Sequence, residues 1–288
     1  MTPSRKRSSH KIAFALGGGG RLGASEIGML RALFERDIVP ELIVGTSIGA
    51  LNGAAVAVEP ALSTVDRLEE VWTTLDKSEV FSGTVFSGAA NLVRTRTALQ
   101  SNQPLRSLIE SLLPAKTFDD LAIPFQCVAA SIERAAEHWF DSGPLVDAIL
   151  ASCAVPGVLP AVKVDGEHFI DGGIVNSIPI ARAVDLGATE IFVLHVGRIE
   201  RPLTAPKNPW QVGMVAFEVA RRHRFARDLA SLPEGVIAHV LPAGGTAPSF
   251  DSLEQLRYKN FRAIGRHIRL AYEASAAYLD DAALVRPR

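Results

Sequence analysis

Two glycine-flanked turns and one Asp-Gly-Gly sequence are the places where this chain could do chemistry. Gly45-Thr46-Ser47-Ile48-Gly49 sets a serine hydroxyl between two glycines, directly after an apolar run and directly before a helical pattern. A nucleophile elbow needs that arrangement: a sharp turn lifts the hydroxyl, and neighbours without Cβ relieve the crowding. A serine in this position also serves as an ordinary helix N-cap. Gly17-Gly18-Gly19-Gly20-Arg21-Leu22-Gly23 is the second turn. A Walker-type phosphate loop would place Lys and Ser/Thr after the last glycine, where Ala24 and Ser25 stand. A dinucleotide fingerprint on Gly18, Gly20 and Gly23 would want an acid ending the second strand, but Leu42-Ile43-Val44 runs into Gly45 and Thr46. An oxyanion hole built from backbone N–H groups at a helix N-terminus fits the loop. So does a tight strand–helix turn with no chemistry. The two turns on neighbouring strands would bring their helix N-termini side by side, one presenting a nucleophile and the other N–H donors.

A serine nucleophile needs a base. His195, ending the apolar run Ile191-Phe192-Val193-Leu194, would complete a Ser-Asp-His triad of the α/β-hydrolase order, although a buried strand end also suits a histidine held in the core. Asp171, in Ile170-Asp171-Gly172-Gly173, is the alternative. A carboxylate is a weak base for a hydroxyl, so Asp171 would have to be desolvated and bonded directly to Ser47.

These residues need elements to position them. Short buried runs at Ile12 to Leu16, Leu42 to Val44, Phe125 to Ala130, Ile191 to His195 and Val236 to Leu241 predict strands. Val162 to Val164 and His168 to Ile170 flank Asp165-Gly166, a two-residue hairpin signal. Helical patterns cover Leu22 to Glu35, Ile48 to Val58, Leu62 to Leu75, Pro104 to Leu113, Pro144 to Ser152, Pro179 to Leu186, Gln211 to Leu229 and Leu253 to Tyr278. Strands alternating with helices imply an α/β fold with a mostly parallel sheet and helices on both faces. No repeat, linker or low-complexity tract divides the chain, so the expectation is one domain over residues 11–288 behind a basic, disordered arm at 1–10. Phe81 to Arg96 and Ile199 to Pro209 lack periodicity and read as surface loops.

Composition narrows the function classes. With 288 residues, 48% hydrophobic and 21% charged, the chain can bury a sizeable core. Thirty Lys and Arg against 31 Asp and Glu leave a net charge of -1, so no global field favours nucleic acid. Cys127 and Cys153 form neither a disulfide framework nor a metal cluster. The basic start at Arg5-Lys6-Arg7 is followed by only five apolar residues before the glycines, too few for a signal peptide, and no run approaches a membrane span. The expected location is cytoplasmic.

Taken in order, the motifs resemble the patatin-like phospholipase family. The stretches that carry the likeness are Leu16 to Gly23, Gly45 to Ala54, Ala151-Ser152-Cys153-Ala154-Val155-Pro156-Gly157 with Pro160, and Asp171-Gly172-Gly173 through Asn176 to Pro179. They span about Lys11 to Val196, leaving 197–288 as a C-terminal extension. The resemblance implies a three-layer α/β fold and a Ser47–Asp171 dyad without catalytic histidine. It implies an oxyanion hole from the amides of Gly18, Gly19 and Gly20, with Gly23, Gly45, Gly49, Gly172 and Gly173 as motif glycines. The implied substrates are acyl lipids and simple esters, with no metal or organic cofactor. Two positions depart from the pattern: Leu22 stands where the family usually has Arg or Lys, and Glu26 where it often has histidine. The first departure weakens the case for an anionic head group. A non-catalytic lipid- or nucleotide-binding protein on the same fold is the rival from another class.

Reaching a lipid calls for a membrane-facing surface. Phe81 to Arg96 would serve as a lid, and Arg221, Arg222, Arg224 and Arg227 with His223 would meet anionic head groups, unless they simply form a solvated helix face.

Overall fold

The computed structural model describes residues 10–74, 98, 100–196, 202–245 and 262–282. The expected lid at Phe81 to Arg96, the arm at 1–9, the start of the loop at Ile199 and the helix before residue 262 lie outside them.

Among the described residues, eight strands form one sheet. Its middle is parallel: β3 (Phe125–Ser131), β2 (Leu42–Thr46), β1 (Ile12–Leu16), β7 (Glu190–Leu194) and β8 (Ile237–Leu241) lie side by side in that order. On β3 the direction changes. The hairpin of β5 (Val162–Val164) and β6 (Glu167–Asp171) joins antiparallel, and so does β4 (Ala136–Phe140). The hairpin turn is the predicted one, with Asp165 at φ 47° and Gly166 at φ 90°.

All five residues of β1 are buried, as a central parallel strand requires. Phe14 and Leu16 enter one core, and Ala13 and Ala15 the other. The first core lies under α1 (Ala24–Phe34), α2 (Ile48–Val58), α3 (Leu62–Thr74), α4 (Gln103–Leu112), α5 (Leu145–Ser152) and, later in the chain, α9 (Arg262–Asp281). The second lies under α7 (Ile180–Asp185) and α8 (Pro209–Ala230), which contribute Ile180, Ala183 and Phe225. Helices on both faces make the three-layer α/β arrangement that the motifs implied.

Some boundaries differ from the sequence expectation. Residues Gly20–Gly23 form a 3-10 turn, so α1 starts at Ala24 rather than Leu22. Strand β2 continues through Gly45 and ends at Thr46, directly before the serine. Strand β4 and the short helix α6 (Gly173–Asn176) were not expected. β4 has two exposed and two half-buried residues before Phe140, so it lacks the apolar run that reveals a buried strand. Among the described residues no helix is long and apolar enough to cross a membrane.

Helix α9 braces the layer that carries the glycine loop. It crosses α1 so closely at Gly28 that a Cβ there would stand 2.1 Å from the Ile268 carbonyl oxygen. Arg36 pairs with Asp280 through two 2.8 Å bonds, and the Tyr272 hydroxyl donates to Glu35 at 2.7 Å. Gly28→Ala should therefore destabilise the protein by roughly 1–3 kcal/mol, although alanine is the better helix former. Gly213→Ala, on an exposed stretch of α8 with nothing within 4 Å, should be neutral or gain up to about 1 kcal/mol. Thermal unfolding of both variants checks this, and a Gly28→Ala protein as stable as the parent would refute the close crossing.

Candidate active site

Strand β3 brings the serine and the aspartate together. β2 pairs with it in parallel, ending with Thr46 opposite Val128. β6 pairs antiparallel, ending with Asp171 opposite Ala129. Because β4 occupies the other edge of β3 along Cys127–Ser131, β2 and β6 must share one edge and meet end to end. Asp171 and the residue after Thr46 consequently face each other. Ser47 Oγ donates to Asp171 Oδ2 at 2.5 Å, and both residues are buried.

The turn at Ser47 is strained. Its φ of 54° and ψ of -123° are unfavourable for a residue with a Cβ, and the surroundings must hold it there. The Ser47 amide donates to Ser152 Oγ at 2.8 Å, and that hydroxyl donates to the Val128 carbonyl at 2.7 Å. The flanking glycines allow the close approach: a Cβ on Gly45 would stand 2.6 Å from the Gly49 carbonyl oxygen, and one on Gly49 2.5 Å from that of Leu16. Gly172 lies equally tight on β3, with no room for a Cβ beside the Val128 carbonyl, and Gly173 donates its amide to Asp171 Oδ1 at 2.7 Å.

Burial raises the Asp171 pKa to about 6, while the Ser47 hydroxyl and the Gly173 amide pull it back down. Cys153, next along from Ser152, keeps its proton: burial first, then the nearby Asp171, push the thiol well up. Neither cysteine is in a disulfide.

The glycine loop lies beside Ser47, its Gly18 Cα facing the Ser47 side chain. The Gly17 amide donates to the Leu194 carbonyl and the Gly18 amide to the Ser177 carbonyl, each at 2.9 Å. Gly18 was one of three expected oxyanion donors, and its N–H is therefore already engaged. Gly19 and Gly20, by contrast, donate to no backbone carbonyl among the described residues. At the loop's end, Asn52 Nδ2 donates to the Gly23 carbonyl at 3.2 Å and to Glu26 Oε2 at 2.7 Å, and Trp72 Nε1 donates to Asn52 Oδ1 at 3.1 Å. Burial raises the Glu26 pKa well above its ordinary value. Glu26, in the place of the family's frequent histidine, thus helps tie the glycine loop to the helix behind Ser47. Arg21 is buried.

His195 is not part of this assembly. Both ring nitrogens are buried without a hydrogen-bond partner among the described residues, and the ring stacks on Phe225 with centroids 5.9 Å apart. Burial, then Arg221 and Arg222, hold it well below the usual histidine pKa. Asp171, the alternative partner, is the group bonded to Ser47, and it also accepts from the Gly173 amide. The basic run on α8 also differs from a free cationic face. Arg221 and Arg222 pair with Glu218, and Arg224 and Arg227 with Asp228. Ser152 is a site residue that residue type alone did not reveal, since a serine ending a helix looks unremarkable. Among the described residues, no three His, Cys, Asp or Glu side chains come together as metal ligands would.

The chain is similar to several known proteins. The family profile described as patatin-like phospholipase matches residues 14–184. Patatin-like phospholipase domain-containing protein 7 of Rattus norvegicus is 31% identical over 204 residues, 70% of this chain and 15% of that protein. Lysophospholipase NTE1 of Mycosarcoma maydis is 28% identical over 200 residues, 68% of this chain and 10% of that protein. This chain thus spans no more than about a seventh of the length of these curated relatives. Among solved structures, VipD from Legionella pneumophila superimposes with a TM-score of 0.48 at 15% identity, covering 94% of this chain and 67% of that one. The chain belongs to the patatin-like phospholipase family.

Proposed function

We propose that this protein hydrolyses carboxylic esters of lipids, in the manner of a phospholipase or lysophospholipase, with Ser47 as nucleophile and Asp171 as its base. The observation that carries the reading is the 2.5 Å hydrogen bond between the two side chains at a strained, glycine-flanked elbow. As Ser47 Oγ attacks the ester carbonyl carbon, Asp171 accepts its proton. The carbonyl oxygen becomes an alkoxide, and the amides of Gly19 and Gly20, where the 3-10 turn before α1 begins, are the donors available to it. Collapse expels the alcohol, which takes the proton back from Asp171. Water then attacks the acyl-serine, again giving its proton to Asp171, and as the bond to the acyl group breaks Ser47 Oγ takes that proton back and the fatty acid leaves.

A base that titrates near 6 suits this work, because it is ionised at neutral pH and more basic than an ordinary carboxylate. Peripheral contact with a lipid surface is the second part of the proposal. Ile174, three residues beyond Asp171, is 45% exposed, and Val212 and Val219 on α8 are 54% and 52% exposed. Helix α8 packs against Gly173, where Phe217 would meet a Cβ at 3.4 Å. The arginines of α8 are paired with acids, so contact through this side would be apolar rather than ionic.

A small fluorophosphonate should add once to the wild type and not to Ser47→Ala, as read by intact mass; no adduct on the wild type, with or without detergent, would overturn the reading. For a soluble ester, kcat/KM should rise about tenfold per pH unit up to about pH 6 and then level. Asp171→Asn should abolish turnover, and His195→Ala should leave most of it; the reverse pattern would restore the histidine triad.

The same carboxyl affects stability. Its folded pKa lies above the ordinary value, so its stabilising contribution is full below about pH 4 and is lost as pH rises through about 6. Removing that charge in Asp171→Asn should raise stability at pH 8 by roughly 2–3 kcal/mol, a difference that vanishes below pH 4. Thermal unfolding at the two pH values measures it. Sedimentation with neutral phosphatidylcholine liposomes should be insensitive to salt and reduced by Ile174→Ser with Val219→Ser; unchanged binding by that variant would place the contact elsewhere.

A further inference from the structure

The glycine loop carries one donor fewer than its sequence offers, because the Gly18 amide is bonded to the Ser177 carbonyl. The same residue that occupies this amide also brings a hydroxyl to the spot. Ser177 is 5% exposed, and its Oγ is buried with no hydrogen-bond partner among the described residues. A buried hydroxyl without a partner is costly, and it persists where something else is to be bonded. Gly18 locates that place. A Cβ built on it would stand 3.4 Å from Ser47 Cβ and 3.6 Å from Ser177 Oγ, so the nucleophilic residue and the unused hydroxyl flank one glycine Cα. The backbone bond from Gly18 to Ser177 fixes this approach, and Pro179 two residues later limits the chain's freedom to move away.

We propose that Ser177 is a further catalytic residue, whose Oγ–H donates a hydrogen bond to the oxygen of the scissile carbonyl as it becomes an alkoxide. The proposal rests on the Ser47 reading above and adds a donor to it. Ser177 exchanges one donor for another: its carbonyl takes the Gly18 N–H, and its hydroxyl supplies an O–H that can rotate toward the developing charge. No proton is transferred by Ser177; the proton of Ser47 still goes to Asp171. Such a donor acts in the transition state more than in the ground state, and its loss lowers kcat rather than raising KM.

The test compares wild type, Ser47→Ala, Ser177→Ala and Ser177→Thr with a soluble fatty-acyl ester, a fluorophosphonate and a trifluoromethyl ketone. Ser177→Ala should lose roughly 10²-fold in kcat with KM little changed, and should be phosphonylated more slowly by a comparable factor. Its affinity for the trifluoromethyl ketone, whose hemiketal oxygen mimics the alkoxide, should fall in parallel with kcat/KM. Ser177→Thr, which keeps the hydroxyl, should recover much of the loss. The thermal midpoint of Ser177→Ala should stay close to wild type, since the Gly18–Ser177 bond involves only backbone. A wild-type kcat and labelling rate in Ser177→Ala would overturn the proposal. So would a loss explained by unfolding that Ser177→Thr does not repair. A wild type that neither turns over ester nor takes the fluorophosphonate would overturn the Ser47 reading instead, and this proposal with it.

Discussion

Two strands running in opposite directions share one edge of β3 and end on adjacent residues, Val128 and Ala129. This junction sets the distance between Ser47 and Asp171 through ladder hydrogen bonds rather than through flexible side chains. Aspartate has a short side chain and serine a shorter one, so the 2.5 Å contact allows little slack in either backbone. Further links tighten the junction: Ser152 Oγ joins the Val128 carbonyl to the Ser47 amide, and Gly172 lies flat against that same carbonyl. The left-handed backbone at Ser47 is held in place by this set of bonds.

A buried acid is a poor contributor to stability. Asp171 is withdrawn from water and, among the described residues, compensated by one hydroxyl and one amide, so its ionisation opposes folding at neutral pH. The fold sustains this because the strands beneath it are buried on both faces, with Phe14 and Phe192 packed edge to face at 6.0 Å and alanines filling the other side. Core packing thus stabilises what the site destabilises, an arrangement common where catalysis needs an ill-solvated charge.

Much of this was legible from local pattern. Ser47 stood out because its glycines fall between a buried run and a small-residue helix, and α2 has the expected bounds, Ile48–Val58. The hairpin ending at Asp171 was marked by Asp165-Gly166. The choice between Asp171 and His195 as partner was not local. It depends on two registers on β3 and a separation of 124 residues, which periodicity does not encode; only the ordered family motifs pointed to it. The engagement of the Gly18 amide was equally hidden, since its acceptor, Ser177, lies far along the chain. Strand β4 has no apolar signature because it is largely exposed, and Ser152, though inside a family motif, carries no local sign of its bond to the Ser47 amide because a serine at a helix end is ordinary.

The extent of the sheet has a practical consequence for anyone cutting the gene. The recognised family region closes at residue 184, yet β1, the strand that feeds the glycine loop, is flanked by β2 on one side and by β7 at Glu190–Leu194 on the other. A fragment trimmed to the recognised region would lose β7, β8 and α9 together, turning a strand buried along its whole length into a raw edge of unpaired amides and carbonyls. Such an edge, apolar and flat, is a template for pairing with other copies. The portion beyond the family region therefore also completes the pairing of β1.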